Sequence, residues 1–382
     1  MASKAEPRPL QAFQLERFFA DYEFVAPHLM CCSDVEPLSM SEVVSSSDLD
    51  TKAMWENLSL AYTESQGLPA LREAVSSLYT EASPNDIVVL APEEGIYLTM
   101  RALLTYGDRV VVQGPGYQSL YEVAMSIGCV VDFWHPDGDA LTYDVGELES
   151  LIRKQKTKLV VINFPHNPTG AMLTATDLKR VVSACSEANS HLFSDEMYRG
   201  LEFDQSAIVP SAVDLYDKAV VLYGMSKSFA MPGLRIGWIA LRDAALRGRV
   251  QELKDYTTIC CSAPSEVLAL MGLRNAKSVL ERNRGICLGN LQLLRELVGR
   301  HGDKFSWVEP RGGSMALLRL SDLFLKGGTS RDYCVRLVKS KGILILPSSE
   351  FGYGDKHIRL GLGRVDFASN LVLWEASLSD AV

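Results

Sequence analysis

Residues 223–237 read Tyr-Gly-Met-Ser-Lys-Ser-Phe-Ala-Met-Pro-Gly-Leu-Arg-Ile-Gly. The run before them, Lys218-Ala-Val-Val-Leu222, is short and apolar, the pattern of a buried parallel strand. Lys227 stands just past that strand's end, with Ser226 before it and Arg235 eight residues after it. In open α/β sheets, ligands bind outside the carboxyl ends of the strands. The stretch therefore sets an amine, a hydroxyl and a guanidinium at a ligand-binding edge. A lysine held there can form a Schiff base with a carbonyl, and an arginine offers paired donors to a phosphate. A lysine beside a serine is, taken alone, an ordinary surface residue. Partners elsewhere in the chain must decide between the two.

Outward from this stretch, strands and helices alternate. Strands are predicted at Ile87–Leu90, Arg109–Val112, Cys129–Trp134, Leu159–Ile162, His191–Ser194 and Ile236–Leu241. Helices are predicted at Ala70–Tyr79, Glu94–Leu104, Gln118–Ile127, Asp144–Lys154 and Thr174–Asn189. This order implies an α/β fold, a mostly parallel sheet with helices on both faces. Beyond about residue 243 the texture becomes α+β. Helices run to Arg300, followed by short strands at 305–308, 315–320, 343–346 and 358–360 and helices at 330–340 and 366–379. Residues 46–265 are therefore assigned to a large domain, and residues 1–45 with 266–382 to a smaller one, since chain ends tend to lie together. Residues 1–10 read as a loose tail, 11–22 as a short amphipathic helix and 25–47 as irregular.

The chain has 382 residues, enough for one large and one smaller domain. Apolar residues make up 47% and charged residues 22%, which excludes disorder as the organising theme. A net charge of −9 argues against a nucleic-acid partner and leaves no basic membrane patch. Eight cysteines show no metal-like spacing and no C-x-x-C pair, so they read as buried free thiols of a reducing compartment. The start, Met1-Ala-Ser-Lys-Ala-Glu-Pro-Arg-Pro9, has no apolar leader core, and no stretch reaches the roughly 18 apolar residues of a membrane span. The expectation is a cytoplasmic protein acting on small molecules.

Several polar residues fall at predicted strand ends. Asp195 ends the run Leu192-Phe-Ser194, where its carboxylate can hold a pyridinium nitrogen protonated or simply cap the next segment. Tyr198 can hydrogen-bond a ring oxygen or lie half-buried. Asn163 and Asn167 flank Phe164-Pro-His166, and Asn167-Pro-Thr-Gly170 is a turn by composition. Tyr117 follows Gly114-Pro-Gly116 at another strand end, placed to stack on a flat ring or to pack in the core. Ala91-Pro92-Glu93 joins a strand to a helix, and backbone amides at such a junction favour phosphate. Arg359, on the apolar run His357-Ile-Arg-Leu-Gly-Leu362, needs an anionic partner, either a substrate carboxylate or a protein acid. A ligand that carries both an aldehyde and a phosphate is pyridoxal phosphate, whose protonated ring acts as an electron sink.

With these residues in place, the chain resembles the class I/II aminotransferases of the fold-type I pyridoxal-phosphate superfamily, from about Tyr62 to Arg364. The markers come in the family's order: Tyr62-Thr-Glu-Ser-Gln-Gly67 with Leu71-Arg72, Gly107-Asp108, Pro115-Gly-Tyr117, Asn167-Pro-Thr-Gly170, Asp195-Glu-Met-Tyr198, Ser226-Lys227, Arg235-Ile-Gly-Trp238 and Arg359. The resemblance implies a large domain built on a seven-stranded sheet, plus a smaller α+β domain. It implies that Lys227 forms the internal aldimine and moves the proton at Cα. It gives Asp195 the pyridine nitrogen, Tyr198 and Asn167 the ring oxygen, and Tyr117 the ring face. Ser226, Arg235 and amides near Ala91, Pro92 and Glu93 take the phosphate, and Arg359 the substrate carboxylate, beside Asn167. Tyr62 reaches the phosphate of a neighbouring copy, which implies a homodimer with shared active sites.

The sequence departs from the family pattern at four places. Ala91 replaces a usual glycine, and Pro92 has no N–H. Gly224 stands where many members carry a phosphate-binding serine. The N-terminal segment Cys31-Cys-Ser-Asp-Val-Glu-Pro37 is not glycine-rich, and Pro310-Arg-Gly-Gly-Ser-Met315 lacks an aromatic; both are expected to line the substrate pocket. Arg199 and Arg311 are the candidates for an acidic side chain. The expected reaction is amino-group transfer between an α-amino acid and a 2-oxo acid. The same residues also serve elimination, C–S cleavage or ring closure, since the fate of a Cα carbanion depends on the pocket. A non-catalytic ligand sensor, the third reading, lacks a DNA-binding module of adequate length and charge.

Overall fold

The computed structural model describes residues 6–379. After β1 (His28–Leu29) come β2 (Ile87–Leu90), β3 (Arg109–Gln113), β4 (Val130–Trp134), β5 (Leu159–Asn163), β6 (His191–Asp195), β7 (Ala219–Gly224) and β8 (Gly237–Leu241). Strands β2 to β8 form one seven-stranded sheet in the order β2-β8-β7-β6-β5-β3-β4. It is a mostly parallel α/β sheet, with β8 antiparallel to both β2 and β7. The strands read as unbroken apolar runs because both faces are covered. Val88, Leu90, Val110, Val112, Val220 and Leu222 point into one core. Ile87, Val89, Val111, Val221 and Tyr223 point into the other.

The C-terminal strands are β9 (Phe305–Trp307), β10 (Met315–Leu320), β11 (Ile343–Leu344), β12 (Leu346–Pro347) and β13 (His357–Gly361). Four of them form an antiparallel sheet in the order β12-β13-β10-β9. The run predicted as one strand at 343–346 is split at Ile345. Its first half pairs in parallel with β1, and its second half joins β13. The first face of the large sheet shares its core with this part, through residues such as Leu294, Met315, Leu318 and Trp374.

Residues 6–10 are not a loose tail. Arg8 grips the Glu122 carboxylate with both terminal nitrogens, at 2.5 and 2.8 Å, and its N–H donates to the Ser126 carbonyl. The region 25–47 is not wholly irregular either. It holds β1 and the helix Met40–Ser46, opened by a reciprocal cap between Ser39 and Glu42. A further helix, Leu49–Glu56, starts on the Asp48 side chain. All eight cysteines are free; six are buried, while Cys260 and Cys261 are half-buried. Among the described residues, no helix is long and apolar enough to cross a membrane.

Candidate active site

The carboxyl ends of β3, β5, β6 and β7 lie side by side, and polar groups knit the loops that leave them. Asn163 and Asp195 face each other in register at the ends of β5 and β6. The Asn163 N–H donates to Gln113 Oε1 at 2.7 Å, and its side-chain amide donates to the Asp195 carbonyl at 2.9 Å. Asn163 Oδ1 accepts from the Asn167 N–H at 2.9 Å. His166 then ties this turn to the loop after β3. Its Nε2–H donates to the Pro115 carbonyl at 2.8 Å, which leaves Nδ1 to accept from the Thr169 hydroxyl at 2.7 Å. Burial lowers the ring to about 3, so it is a neutral brace. Tyr117 is thereby fixed. Its hydroxyl donates to Glu16 at 3.3 Å, and its ring leans on Phe13.

These loops open onto a cavity of about 460 Å³ lined by Lys227, Ser226, Asp195, Tyr198, Asn167, Tyr117, Arg235, Pro92 and Glu93. Lys227 Nζ donates to Ser33 Oγ at 2.9 Å. Asp195 is buried, and among the described residues its carboxylate accepts one hydrogen bond, from the Met197 N–H to Oδ1 at 3.0 Å. Burial, with Glu93 and Glu196 nearby, raises its carboxyl to about 7. A buried carboxylate with one oxygen free needs a cation from a ligand. Arg235 makes no ion pair among the described residues; its guanidinium donates only to the Pro232 carbonyl, at 2.9 Å. Beside it opens the helix Pro92–Leu103, whose Glu93 and Glu94 amides have no acceptor inside the helix. An amine, a carboxylate lacking a cation and an anion-binding corner fit the aldehyde, ring nitrogen and phosphate of pyridoxal phosphate.

Arg359 is fully buried on β13 but does not line the cavity. It donates to Asn167 Oδ1 at 2.9 Å and to the Cys31 carbonyl at 2.7 Å, and its Nε has no partner. No protein carboxylate pairs with it among the described residues, so the expectation of a protein acid fails. A buried guanidinium held only by neutral acceptors leaves its charge without a counter-ion among the described residues.

Other expected positions fall elsewhere. Ala91 caps the helix Pro92–Leu103 but does not line the cavity, so the junction reaches the cavity only through Pro92 and Glu93 among these three. Tyr62 is 88% exposed and stands outside its own chain's cavity. Arg199 pairs with Glu196 at 3.4 Å, and Arg311 is exposed; neither lines the cavity. The loop 310–315 does not line it either. It braces: the Gly312 N–H donates to the Gly170 carbonyl, and Ser314 Oγ to the Ser33 carbonyl at 2.5 Å.

The segment 31–37 reaches the cavity as expected, while other lining residues escaped the sequence reading. Cys32, Ser33 and Asp34 supply one wall, and Arg364 grips both Asp34 oxygens at 3.1 Å. Next to Cys31 and Arg364, the Cys32 thiol is lowered to about 7. The helix Gln14–Tyr22 and its C-terminal flank bring Leu15, Glu16, Phe19 and Glu23 over the opening. The readable trace was Arg359-Leu-Gly-Leu-Gly363. A Cβ at Gly361 would lie 1.9 Å from the Cys32 carbonyl oxygen, and one at Gly363 would lie 2.4 Å from that of Asp34. These glycines mark where another backbone passes.

The chain is similar to known proteins over most of its length. Residues 55–370 match the model of the family "Aminotransferase class I and II". Capreomycidine synthase of Streptomyces vinaceus is 27% identical over 94% of this chain and 90% of its own. A PLP-dependent aminotransferase from Streptococcus suis superposes with a TM-score of 0.88 at 29% identity, covering 97% of each chain. The PLP-dependent cyclase OrfR superposes with a TM-score of 0.87 at 27% identity, covering 99% of this chain and 100% of its own. The match spans most of the chain and takes in Lys227, Asp195 and Arg359. The chain belongs to the class I and II aminotransferase family, fold-type I enzymes whose cofactor is pyridoxal phosphate.

Proposed function

We propose that the chain transfers the amino group of an α-amino acid to a 2-oxo acid, with Lys227 carrying the proton at Cα. The observation behind this is one cavity edge that joins the Lys227 amine, the cation-seeking Asp195 and the Asn167–Arg359 pair. Bound pyridoxal phosphate supplies an aldehyde that takes the amino group and a ring that draws electrons from Cα. Asp195 stays ionised against the ring nitrogen. Asn167 and Tyr198 hold the ring oxygen, and Tyr117 covers the ring face. Ser226, Arg235 and the Glu93 and Glu94 amides hold the phosphate. Arg359 donates to the substrate carboxylate and so fixes which Cα bond meets the lysine. Lys227, aligned by Ser33, then removes and returns the Cα proton.

Residues 46–265 serve as the cofactor-binding domain, and residues 1–45 with 266–382 as the smaller one. Tyr62, exposed on its own chain, reaches the phosphate in a second copy, so the working unit is a homodimer in the cytoplasm.

A second reading is favoured by near full-length relatives that are named a synthase and a cyclase. It keeps every residue role and ends in elimination, C–S cleavage or ring closure. The test mixes the loaded enzyme with single amino acids and no acceptor. Transfer converts the cofactor to its amine form and releases a 2-oxo acid. Persistent starting absorbance with ammonia, a thiol or a cyclised product establishes the second reading. Lys227→Ala should abolish both the lysine-bound cofactor absorbance and turnover; retained turnover sinks either scheme.

A further inference from the structure

On the reading just proposed, the cofactor and the substrate's amino and carboxyl groups use Lys227, Asp195, Arg235 and Arg359. Arg364 is already held by Asp34 through two 3.1 Å contacts. The cavity wall nevertheless keeps two further acids, Glu16 and Glu23. They come from the N-terminal helix and its flank, two turns apart, with Phe19 between them on the same face. Glu16 accepts one hydrogen bond, from Tyr117 at 3.3 Å, and forms no ion pair among the described residues. The half-buried Glu23 carboxylate has neither a hydrogen bond nor an ion pair among them. It lies near enough to feel the charges of Asp34, Glu16, Arg364 and Lys227, and burial raises it first of all.

A second observation is independent of these acids. Asp195 and Arg359 are both more than nine-tenths buried, and among the described residues Arg359 Nε has no partner and the second Asp195 carboxylate oxygen no hydrogen bond. The cavity is therefore built around a ligand, and the two glutamates are charges left over once that ligand's reacting end is matched. An acidic side chain would meet these carboxylates with no free arginine to offset them, since Arg199 and Arg311 lie elsewhere.

We propose that Glu16 and Glu23 select an amino acid whose side chain ends in an amine or a guanidinium, with Phe19 as the flat apolar surface beneath it. Carboxylates accept charge-assisted hydrogen bonds from such groups, and an aromatic face favours a cation. This inference deepens the amino-acid reading and rests on it.

The loaded enzyme is titrated with L-arginine, L-ornithine, L-lysine, L-leucine and L-glutamate, and binding is read from the absorbance of the lysine-bound cofactor. The three cationic amino acids should bind at least about tenfold more tightly than leucine or glutamate, the size of one charged hydrogen bond. Glu16→Gln and Glu23→Gln should each reduce the arginine-to-leucine affinity ratio about tenfold. Asp21→Asn, an exposed acid of the same helix that does not line the cavity, should leave the ratio in place. Leucine or glutamate binding as tightly as arginine, or a ratio unmoved in both Gln variants, overturns the inference and leaves the amino-acid chemistry standing. No response to any of the five overturns the proposed function itself, and this inference with it.

Discussion

A Cβ at Gly224 would lie 2.7 Å from Gly237 Cα and 3.3 Å from Pro92 Cγ. Gly224 and Gly237 face each other across β7 and β8, and Pro92 fills the space beside them. Pro92 is at the first helical position, where its missing N–H is no loss. The three residues form one steric unit, so a serine at 224 has no room, and the proposal gives the phosphate to Ser226, Arg235 and the helix amides instead. Gly224→Ser should therefore cost about 1–3 kcal/mol of stability by overpacking. Thermal melting measures that loss; a serine that kept full stability and tightened the cofactor would refute the account. Asp195 carries a pH prediction. Its carboxyl is raised to about 7, mainly by burial, from an unfolded value of about 4. The folded chain thus holds this proton more tightly than the unfolded one. The stability it contributes is present at low pH and is lost as pH rises through about 7. A ring cation beside Asp195 removes that loss. The gain in melting temperature on loading the cofactor should grow as pH rises from about 5 to about 8. In Asp195→Asn that growth should flatten; a gain in the native protein that ignores pH would contradict the pairing.

At the scale of elements, the segment Met30–Glu36 joins two halves of the site. Its Met30 carbonyl accepts from the Gly361 N–H, its Cys31 carbonyl from the Arg359 guanidinium, and its Ser33 hydroxyl from Lys227. Gly361 permits this approach, so Gly361→Ala must push the segment away from β13. The expected result is a lower melting temperature and a rise of about tenfold or more in KM for the amino acid, since small misplacements of positioning groups are costly. An unchanged KM would show that the segment does not set substrate geometry. The same segment shows what a sequence can and cannot reveal. Strands β2, β3, β5, β6 and β7 were legible because burial on both faces leaves one apolar code. Asp195, at the end of β6, and the loop residues Asn167, Tyr198 and Lys227 were legible because each closes or follows such a run. The helix Met40–Ser46 was missed although Ser39 and Glu42 form its cap, because its apolar face is short. The segment 31–34 was expected at the pocket from the resemblance, but what admits it there was opaque. Its backbone is ordinary, and the residues that admit it, Gly361 and Gly363, lie over 300 positions away. The split at Ile345 was hidden likewise, because β1 and β13, which divide that run, are far apart in the chain.

For the molecule as a whole, three large side chains face solvent on adjoining segments: Leu60 at 86%, Tyr62 at 88% and Tyr256 at 90% exposure. The segments are tied together, with Thr63 Oγ1 donating to the Cys261 carbonyl and to Glu266. Grouped exposed apolar side chains mark a surface that another protein covers. Tyr62 lies outside its own cavity, and the anion-binding corner has been thinned by Pro92 and Gly224. On the proposed dimer, a tyrosine hydroxyl from a second copy would add a donor to this corner. Light scattering should then give twice the mass of one chain. Tyr62→Asp, which sets a carboxylate against the phosphate, and Lys227→Ala should each be inactive as homodimers. Mixed, dissociated and reassembled, half of the dimers pair the two variants. Each mixed dimer concentrates both lesions in one site and leaves the other site intact, so about a quarter of wild-type activity should return. If Tyr62 served its own chain, every site would carry one lesion and the mixture would stay inactive. The returned activity therefore decides whether the chain is a self-sufficient enzyme or half of one.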